Sequence, residues 1–522
     1  MTKIAACMIA LLFFGCQDEY LSHYERSANL PDQNLFEKIN KDSQLSKFAK
    51  MIKVAGLDSL LSANQTFTVW APVNDCLTDL DPDTLDKSQA NWMVKNYVAR
   101  FNNSSSNGNG KPVRMINDKM YAFTLEGTVF GGSPLLQNDL LAKNGILHTI
   151  GTKIQYHNNV YEYIFSSGKN AKLSAFILAF EEKRFNEALS TPIDIDNNGR
   201  TVYDSVTTSY NRLFDDNLGS IHREDSVFTM LIPSDTAWKD AYTRLAPYFK
   251  TYSANTELAD SIQRVQTSLA IINNLIYKEV IDVTNHPDSI ISTLGSVIHD
   301  PDALFDGSVK QIASNGMVYL TDKLNYQANE TWNKPIELEC EATEGRVAGP
   351  NTGINTRTVT SESSVPVSES RYIEVVPNTT TAQPAVTFDV PNVLSGKYDI
   401  YVEFVPASLD GTPRDSTKLL FDLTYMTPTG KTTNTTAKLS SFVTSGTRKV
   451  KMKAYSGFEF PISNYYDRLW WVDYRAGLHN YNEYVVTTKL MVKTNVTTTE
   501  LNNNLYTRKF RIDRLIFEPV SN

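Results

Sequence analysis

Cysteine is scarce in this chain, with 4 in 522 residues. Cys7 and Cys16 fall at the very start, and Cys76 and Cys340 lie far apart. No disulfide framework can staple a chain of this size with so few, so each domain must rest on its own apolar core. Histidine is sparse as well: the 7 from His23 to His479 are scattered, and none has a metal-ligand spacing such as His-Glu-x-x-His. There is no Gly-x-Ser-x-Gly elbow, phosphate loop or dinucleotide fingerprint, which removes the enzyme classes that depend on them. A basic excess is missing too. The 50 Lys and Arg are outnumbered by 58 Asp and Glu, for a net charge of −8, and no basic stripe is present to meet a nucleic acid.

Long hydrophobic runs are absent after Phe14. The one run before it, Ile4–Phe14 behind Lys3, would span about 17 Å as a helix against a hydrocarbon core of about 30 Å. It is too short to cross a membrane stably but suits the apolar region of a signal peptide. Disorder is excluded by the 11% aromatic content, and 41% apolar residues are only slightly below the globular norm.

What is present begins at that run's end. Leu12-Phe13-Phe14-Gly15-Cys16 resembles the lipobox of bacterial lipoproteins, with Phe13 where an aliphatic residue is usual. The following Gln17-Asp18-Glu19-Tyr20 is similar to the signal that sends Bacteroidetes lipoproteins to the outer face of the outer membrane. The resemblance implies a signal peptide over 1–15, acylation of Cys16, a tether over 16–32, and a lipid-anchored protein on the cell surface. Asp-Ser/Thr-aliphatic triplets such as Asp58-Ser59-Leu60 and Asp225-Ser226-Val227 resemble the O-glycosylation sequon of exported proteins of that group.

A repeat with a spacing of about 160 residues follows. In the first copy Leu45, Phe48, Ile52, Ala55 and Leu60 keep helical spacing. Thr66-Phe67-Thr68-Val69-Trp70-Ala71-Pro72 then reads as a strand ending at a proline before Asn74-Asp75. In the second, Leu173, Phe176, Ile177 and Phe180 form the helical face, and Val227–Pro233 with Ser234-Asp235 repeats the strand and turn. Asp75 and Asp235 are placed to cap the next helix. Each copy later carries an Asn-Gly turn before a strand, at Asn144-Gly145-Ile146-Leu147-His148 and Asn315-Gly316-Met317-Val318-Tyr319. These two signatures, in this order and twice, resemble the fasciclin-domain family. The resemblance implies fasciclin-like domains over 33–157 and 158–328. The family's Tyr-His pair appears as Tyr97-Val98 and Tyr277-Lys278, and the histidine of the second signature is kept as His148 but replaced by Tyr319.

Within the second copy, Asp194-Ile195-Asp196-Asn197-Asn198-Gly199 has the first half of a calcium loop, but Ser205 stands where the bidentate acid belongs. Turn chemistry between two short strands accounts for the same residues.

From about Asn329 helical periodicity fades, and short alternating runs rich in Thr, Ser and Asn predict a β-sandwich over 329–522. In Ile336–Ala342 the alternation places Cys340 inward and Glu337, Glu339 and Glu341 on the other face. Pro350–Ser370 reads as a long loop. Val386–Val393 and Ser395–Val402 read as two strands about a turn. This region resembles the jelly-roll carbohydrate-binding modules, through Leu338-Glu339-Cys340-Glu341-Ala342 at its start and Ile512-Asp513-Arg514-Leu515 at its end. The resemblance implies that Glu339, Glu341 and Asp513 are candidates for a structural calcium; no other cofactor is expected.

Sugars bind by stacking on aromatic rings, so the run Tyr465-Tyr466-Asp467-Arg468-Leu469-Trp470-Trp471-Val472-Asp473-Tyr474 marks the candidate ligand site, with Tyr466, Trp470, Trp471 and Tyr474 as its residues. Read as a strand, it points Trp470 and Trp471 to opposite faces. The sequence therefore predicts an α+β chain of two tandem fasciclin-like domains and a jelly-roll sandwich that acts by binding. Its expected partners are the outer membrane, a SusC/SusD-type transporter and a polysaccharide, with an adhesin or assembly role as the alternative.

Overall fold

The computed structural model describes residues 31–106, 110–360, 364–411 and 415–520. Cys7, Cys16 and the apolar run before them lie outside the described residues. The chain forms two compact units, one reaching to Asn158 and including Phe185–Val206 and Arg223–Asp225, the other holding Asn159–Arg184, Thr207–His222 and everything from Ser226. The fold class is α+β, with a C-terminal region dominated by strands. Among the described residues no helix is long and apolar enough to cross a membrane.

In the first unit, strand β1 (Phe67–Pro72) pairs in parallel with β2 (Gly145–Ile150), and all twelve residues are buried. Continuous burial suits strands covered on both faces. They sit in a seven-stranded sheet, where Val98–Arg100 flanks β1 and Ser133–Ala142 flanks β2. The helix Ser46–Ala55 lays Phe48, Met51, Ile52 and Ala55 onto this sheet's core and ends at Gly56, whose φ of +69° closes it in the left-handed conformation. Leu60 therefore belongs to a separate short helix, Asp58–Ser62. The helix α1 (Lys87–Lys95) follows, opened by an Asp86/Gln89 capping box and burying Ala90 and Val94.

The second unit repeats the arrangement with β3 (Phe228–Pro233) and β4 (Gly316–Thr321) in parallel at the centre of a four-stranded sheet. Phe228 stands opposite Gly316 as Phe67 stands opposite Gly145. The asparagine before each glycine is a clamp. Asn144 Oδ1 accepts from Leu35 N (2.8 Å) and its Nδ2 donates to Ala63 O (2.7 Å). Asn315 Oδ1 accepts from Val160 N (2.9 Å) and its Nδ2 donates to Ile221 O (2.8 Å). Each asparagine thus ties the start of a helix to the segment entering the central strand.

The acidic turn works differently from the sequence expectation. Asp235 caps a helix that precedes it in the chain, accepting from Lys172 N at 2.8 Å, while Ser234 is the N-cap of the helix Asp235–Leu245. In the first copy Asn74, two residues after the proline as Asp235 is, accepts from Lys47 N at 3.0 Å. The strand's end lies beside the N-terminus of the earlier helix, so the orphan amides nearest to these side chains are that helix's.

The half calcium motif forms a hairpin, Thr191–Ile195 with Thr201–Asp204. Asp196 Oδ1 is occupied by the amides of Asn198 (2.9 Å) and Arg200 (2.8 Å) within the turn.

The C-terminal region has two antiparallel sheets. In one, Thr352–Thr358, Arg371–Pro377, Phe510–Pro519, Gly396–Phe404 and Val450–Phe460 lie side by side, with Ile336–Glu339 also on Phe510–Pro519. In the other the order is Arg346–Ala348, Ala385–Asp389, Lys489–Thr494, Leu419–Met426, Thr432–Ala437. Ile373, Ile400, Val402 and Ile512 of the first meet Val386, Phe388, Phe421 and Leu490 of the second in one core. Two expectations change. Part of the supposed loop Pro350–Ser370 is the strand Thr352–Thr358, since an outer strand needs no clean apolar alternation. The two strands around Pro391 belong to opposite sheets, so their turn is a crossing and not a hairpin.

Candidate functional site

The run Tyr465–Tyr474 is a helix from Arg468 to Arg475, here α2, where the sequence reading had a strand. Leu469 and Val472 have the i, i+3 spacing that puts both on one helical face. Both join the apolar core built around β3 and β4. Asp467 caps the helix, its Oδ1 accepting from Leu469 N (2.8 Å) and its Oδ2 from Asn273 Nδ2 (2.8 Å). Asp473 faces inward with an ion pair to Arg212 at 3.0 Å. Burial raises the carboxyl pKa of both aspartates. With its inner face thus fixed, α2 presents Trp470, Trp471 and Tyr474 on the other.

These rings are gathered with three that the sequence reading missed. Trp470 lies nearly parallel to Tyr474 (5.8 Å, 3°) and to His479 (5.2 Å, 11°), and edge-on to Tyr466 (5.2 Å). Trp471 is perpendicular to Trp470 at 4.8 Å and tilted on Tyr484 at 4.8 Å. Tyr481 is 52% exposed and Tyr474 36%, while both tryptophans are half-buried. Tyr466 is anchored, its hydroxyl accepting from Val485 N (2.9 Å). His479, Tyr481 and Tyr484 have no periodicity; their proximity in sequence to Trp470 was the only signal available. Such a plate can stack a pyranose while tyrosine hydroxyls and the imidazole hold its hydroxyls.

Glu339, Glu341 and Asp513, the candidates for a structural calcium, lie away from bulk solvent. Glu341 and Asp513 are buried, and Glu339 is half-buried. Both oxygens of Asp513 are taken, Oδ1 by Ser368 N (3.0 Å) and Oδ2 by Lys449 Nζ (2.5 Å). Lys449 also reaches Glu403 (2.7 Å) and Pro366 O (3.1 Å). Glu341 has Arg371 at 3.3 Å, an ion-pair distance without the alignment of a hydrogen bond. Burial, then the neighbouring acids, pushes the Glu339 carboxyl up. At Glu403 burial is outweighed by the hydrogen bonds from Lys449 and Arg514, and the pKa is held down. Spare oxygens remain only on Glu339 and Glu341, so the three do not fit a calcium ion. Among the described residues no group of three or more His, Cys, Asp or Glu could hold a metal ion. The fixed cation beside Asp513 is Lys449. Cys340 is fully buried and free, and burial raises its thiol pKa, as expected of a core residue.

His148 is buried, near-parallel to Trp70 at 5.4 Å and edge-on to Phe123 at 5.6 Å. Its Nδ1 accepts from Asp139 N (3.2 Å) and its Nε2 donates to Asn103 O (3.0 Å). In the second copy Tyr319, at the same register, donates its hydroxyl to Ile281 O (2.9 Å). The threonine equivalents agree: Thr68 Oγ1 accepts from Asn103 N, and Thr229 Oγ1 from Ile281 N, both at 2.9 Å. The exchange of His for Tyr thus keeps one structural hydrogen bond. Burial lowers the His148 pKa below the ordinary histidine value of about 6.5. The unfolded chain therefore binds more protons, and the first unit should lose stability as pH falls through about 6.5. Hydrogen exchange is expected to show protection of β1 and β2 falling between about pH 7 and 5, with β3 and β4 unaffected. The variant His148→Gln, which retains a donor and an acceptor, should flatten the difference; equal loss in both copies would refute the assignment.

Residues 43–155 match the family model described as the fasciclin domain. Among solved structures, the chain is similar to a FAS1 domain pair from the insect cell adhesion molecule Fasciclin I, at 12% identity over 55% of this chain and 98% of that one, with a TM-score of 0.20. It is also similar to a xylan-binding domain of carbohydrate-binding module family 22, at 13% identity over 35% and 92%, with a TM-score of 0.21. A family 22 module of Clostridium thermocellum gives 13% identity over 34% and 89%, with a TM-score of 0.21.

Proposed function

We propose that the chain is a non-catalytic, lipid-anchored protein of the outer cell surface that captures a glycan through the rings on α2, as an accessory of a SusC/SusD-type uptake system. The observation that carries the reading is the aromatic cluster: Trp470 and Trp471 are held by a helix whose other face is locked into a core, which makes a rigid, half-exposed stacking plate. Anchoring rests on Gly15-Cys16 and the acidic residues after it. Catalysis is not part of the proposal.

The test is affinity electrophoresis of the full chain through neutral polysaccharides such as xylan, mixed-linkage glucan, mannan and starch. At least one should retard the protein, and Trp471→Ala should weaken retention by about tenfold, roughly 1.4 kcal/mol. Failure of every polymer, or retention indifferent to Trp470→Ala and Trp471→Ala, would remove glycan capture. The second reading, an adhesin or assembly protein, is favoured by the fasciclin-domain match over 43–155. It predicts recovery of a protein partner whose binding free sugars do not disturb, when the lipoprotein is purified from its native membrane in mild detergent.

A further inference from the structure

A second aromatic surface lies in the first unit, on α1. Ala90 and Val94 bury one face of that helix, and the other lines a cleft of about 460 Å³ with Lys87, Asn91, Trp92, Lys95, Asn117 and Asp118. Trp92 is 48% exposed, an unusual state for the largest apolar side chain. It is held in place by Tyr156, 4.4 Å away at a tilt of 56°. Asn91 donates Nδ2 to Ala55 O (3.2 Å), which fixes the amide and leaves its oxygen without a donor among the described residues.

The charges around Trp92 have the sign opposite to the chain's net −8. Lys50, Lys153, Lys310 and Lys489 are each paired with a carboxylate, of Asp83, Asp79, Asp282 and Asp389 in turn. Lys87 and Lys95 have no carboxylate partner among the described residues. The cleft's own acid, Asp118, lies 3.7 Å from Arg114. Eight helical residues separate the two lysines by about 12 Å along the axis, with Trp92 between them. An oligosaccharide crosses that span and a single ring does not.

We propose that this cleft binds an acidic glycan built of hexuronate rings, one ring stacked on Trp92 and carboxylates meeting Lys87 and Lys95. Stacking supplies the sugar recognition, the ammonium groups select charge, and Asn91 accepts from a ring hydroxyl. The site is separate from the α2 cluster, and each can fail without the other.

The probes are polygalacturonate and alginate, with fully methyl-esterified polygalacturonate as the uncharged counterpart of the same backbone. The full chain should be retarded by one of the acid polymers and not by the ester. Trp92→Ala and the double variant Lys87→Ala/Lys95→Ala should each weaken retention about tenfold or more, and raised salt should weaken it in the wild type. Trp470→Ala/Trp471→Ala should leave it unchanged. Trp92 and Lys87 are exposed and Lys95 is half-buried, and circular dichroism should show that each variant folds. The proposal is overturned if neither acid polymer binds, if the ester binds equally, or if retention survives Trp92→Ala or disappears with Trp470→Ala/Trp471→Ala.

Discussion

Replacing Lys449 with Met should destabilise the sandwich by about 3–5 kcal/mol, the cost of leaving a buried charge without its partner. Asp513 is fully buried, and among the described residues Lys449 is the cation in ion-pair contact with it, at 2.5 Å. Glu403, 2.7 Å from the same ammonium, keeps Arg514 at 3.0 Å, so the loss falls mainly on Asp513. In calorimetry of the full chain, one transition should drop by roughly 10 °C while the others stay in place. The pH dependence has a definite sign. Burial already raises the Asp513 pKa, and without Lys449 the folded state holds its proton more tightly still. The variant's deficit should therefore shrink as pH falls into the carboxylate range. A shift below about 2 °C would mean that the ion pair is not what holds this face. In the wild type, EDTA should leave the transition where it is. A drop that calcium reverses would give the cation's place to the metal.

The second large effect is expected at the paired glycines. Gly145 has φ +152° and Gly316 φ +146°, and a Cβ at either would stand 1.8 Å from the carbonyl oxygen of Phe67 or Phe228. That oxygen belongs to the opposite central strand, so no side-chain rotation relieves the clash. Gly145→Ala and Gly316→Ala should each cost about 4 kcal/mol or more in their own unit. Gly307→Ala is the control: its φ is +69° but nothing lies within 4 Å, so only the backbone penalty of about 1–2 kcal/mol remains. If all three variants melted alike, the close strand approach would not be the reason for glycine.

These glycines show why much of the fold was legible. A parallel pair this tight admits no side chain at its first residue, and the asparagine before it must bridge two segments. Both demands act on adjacent residues, so they leave a dipeptide that can be read twice in the chain. The α+β class followed from that repeat and from the alternation after Asn329. The candidate site was only partly legible. Tyr466, Trp470, Trp471 and Tyr474 were found as a run of rings, but their secondary structure was misread because aromatic residues satisfy a period of two as easily as a helical one. The helix is selected by Leu469 and Val472, which needed a core to enter, and by Asp467, whose second partner, Asn273, is 194 residues away.

By itself, the sequence determined the repeated strand-proline turn, the Asn-Gly junctions, the sandwich, the absence of a disulfide framework and the residue types available for stacking. Each of these is imposed by neighbours along the chain, through periodicity, turn geometry or composition. The tertiary structure decided which helix the acidic turn caps, that Tyr319 takes over the hydrogen bond of His148, that Lys449 supplies the cation beside Asp513, and that Trp92 stands exposed between Lys87 and Lys95. Those outcomes depend on distances between residues remote in sequence, and a charge or ring takes its role from what the fold brings within a few ångströms of it.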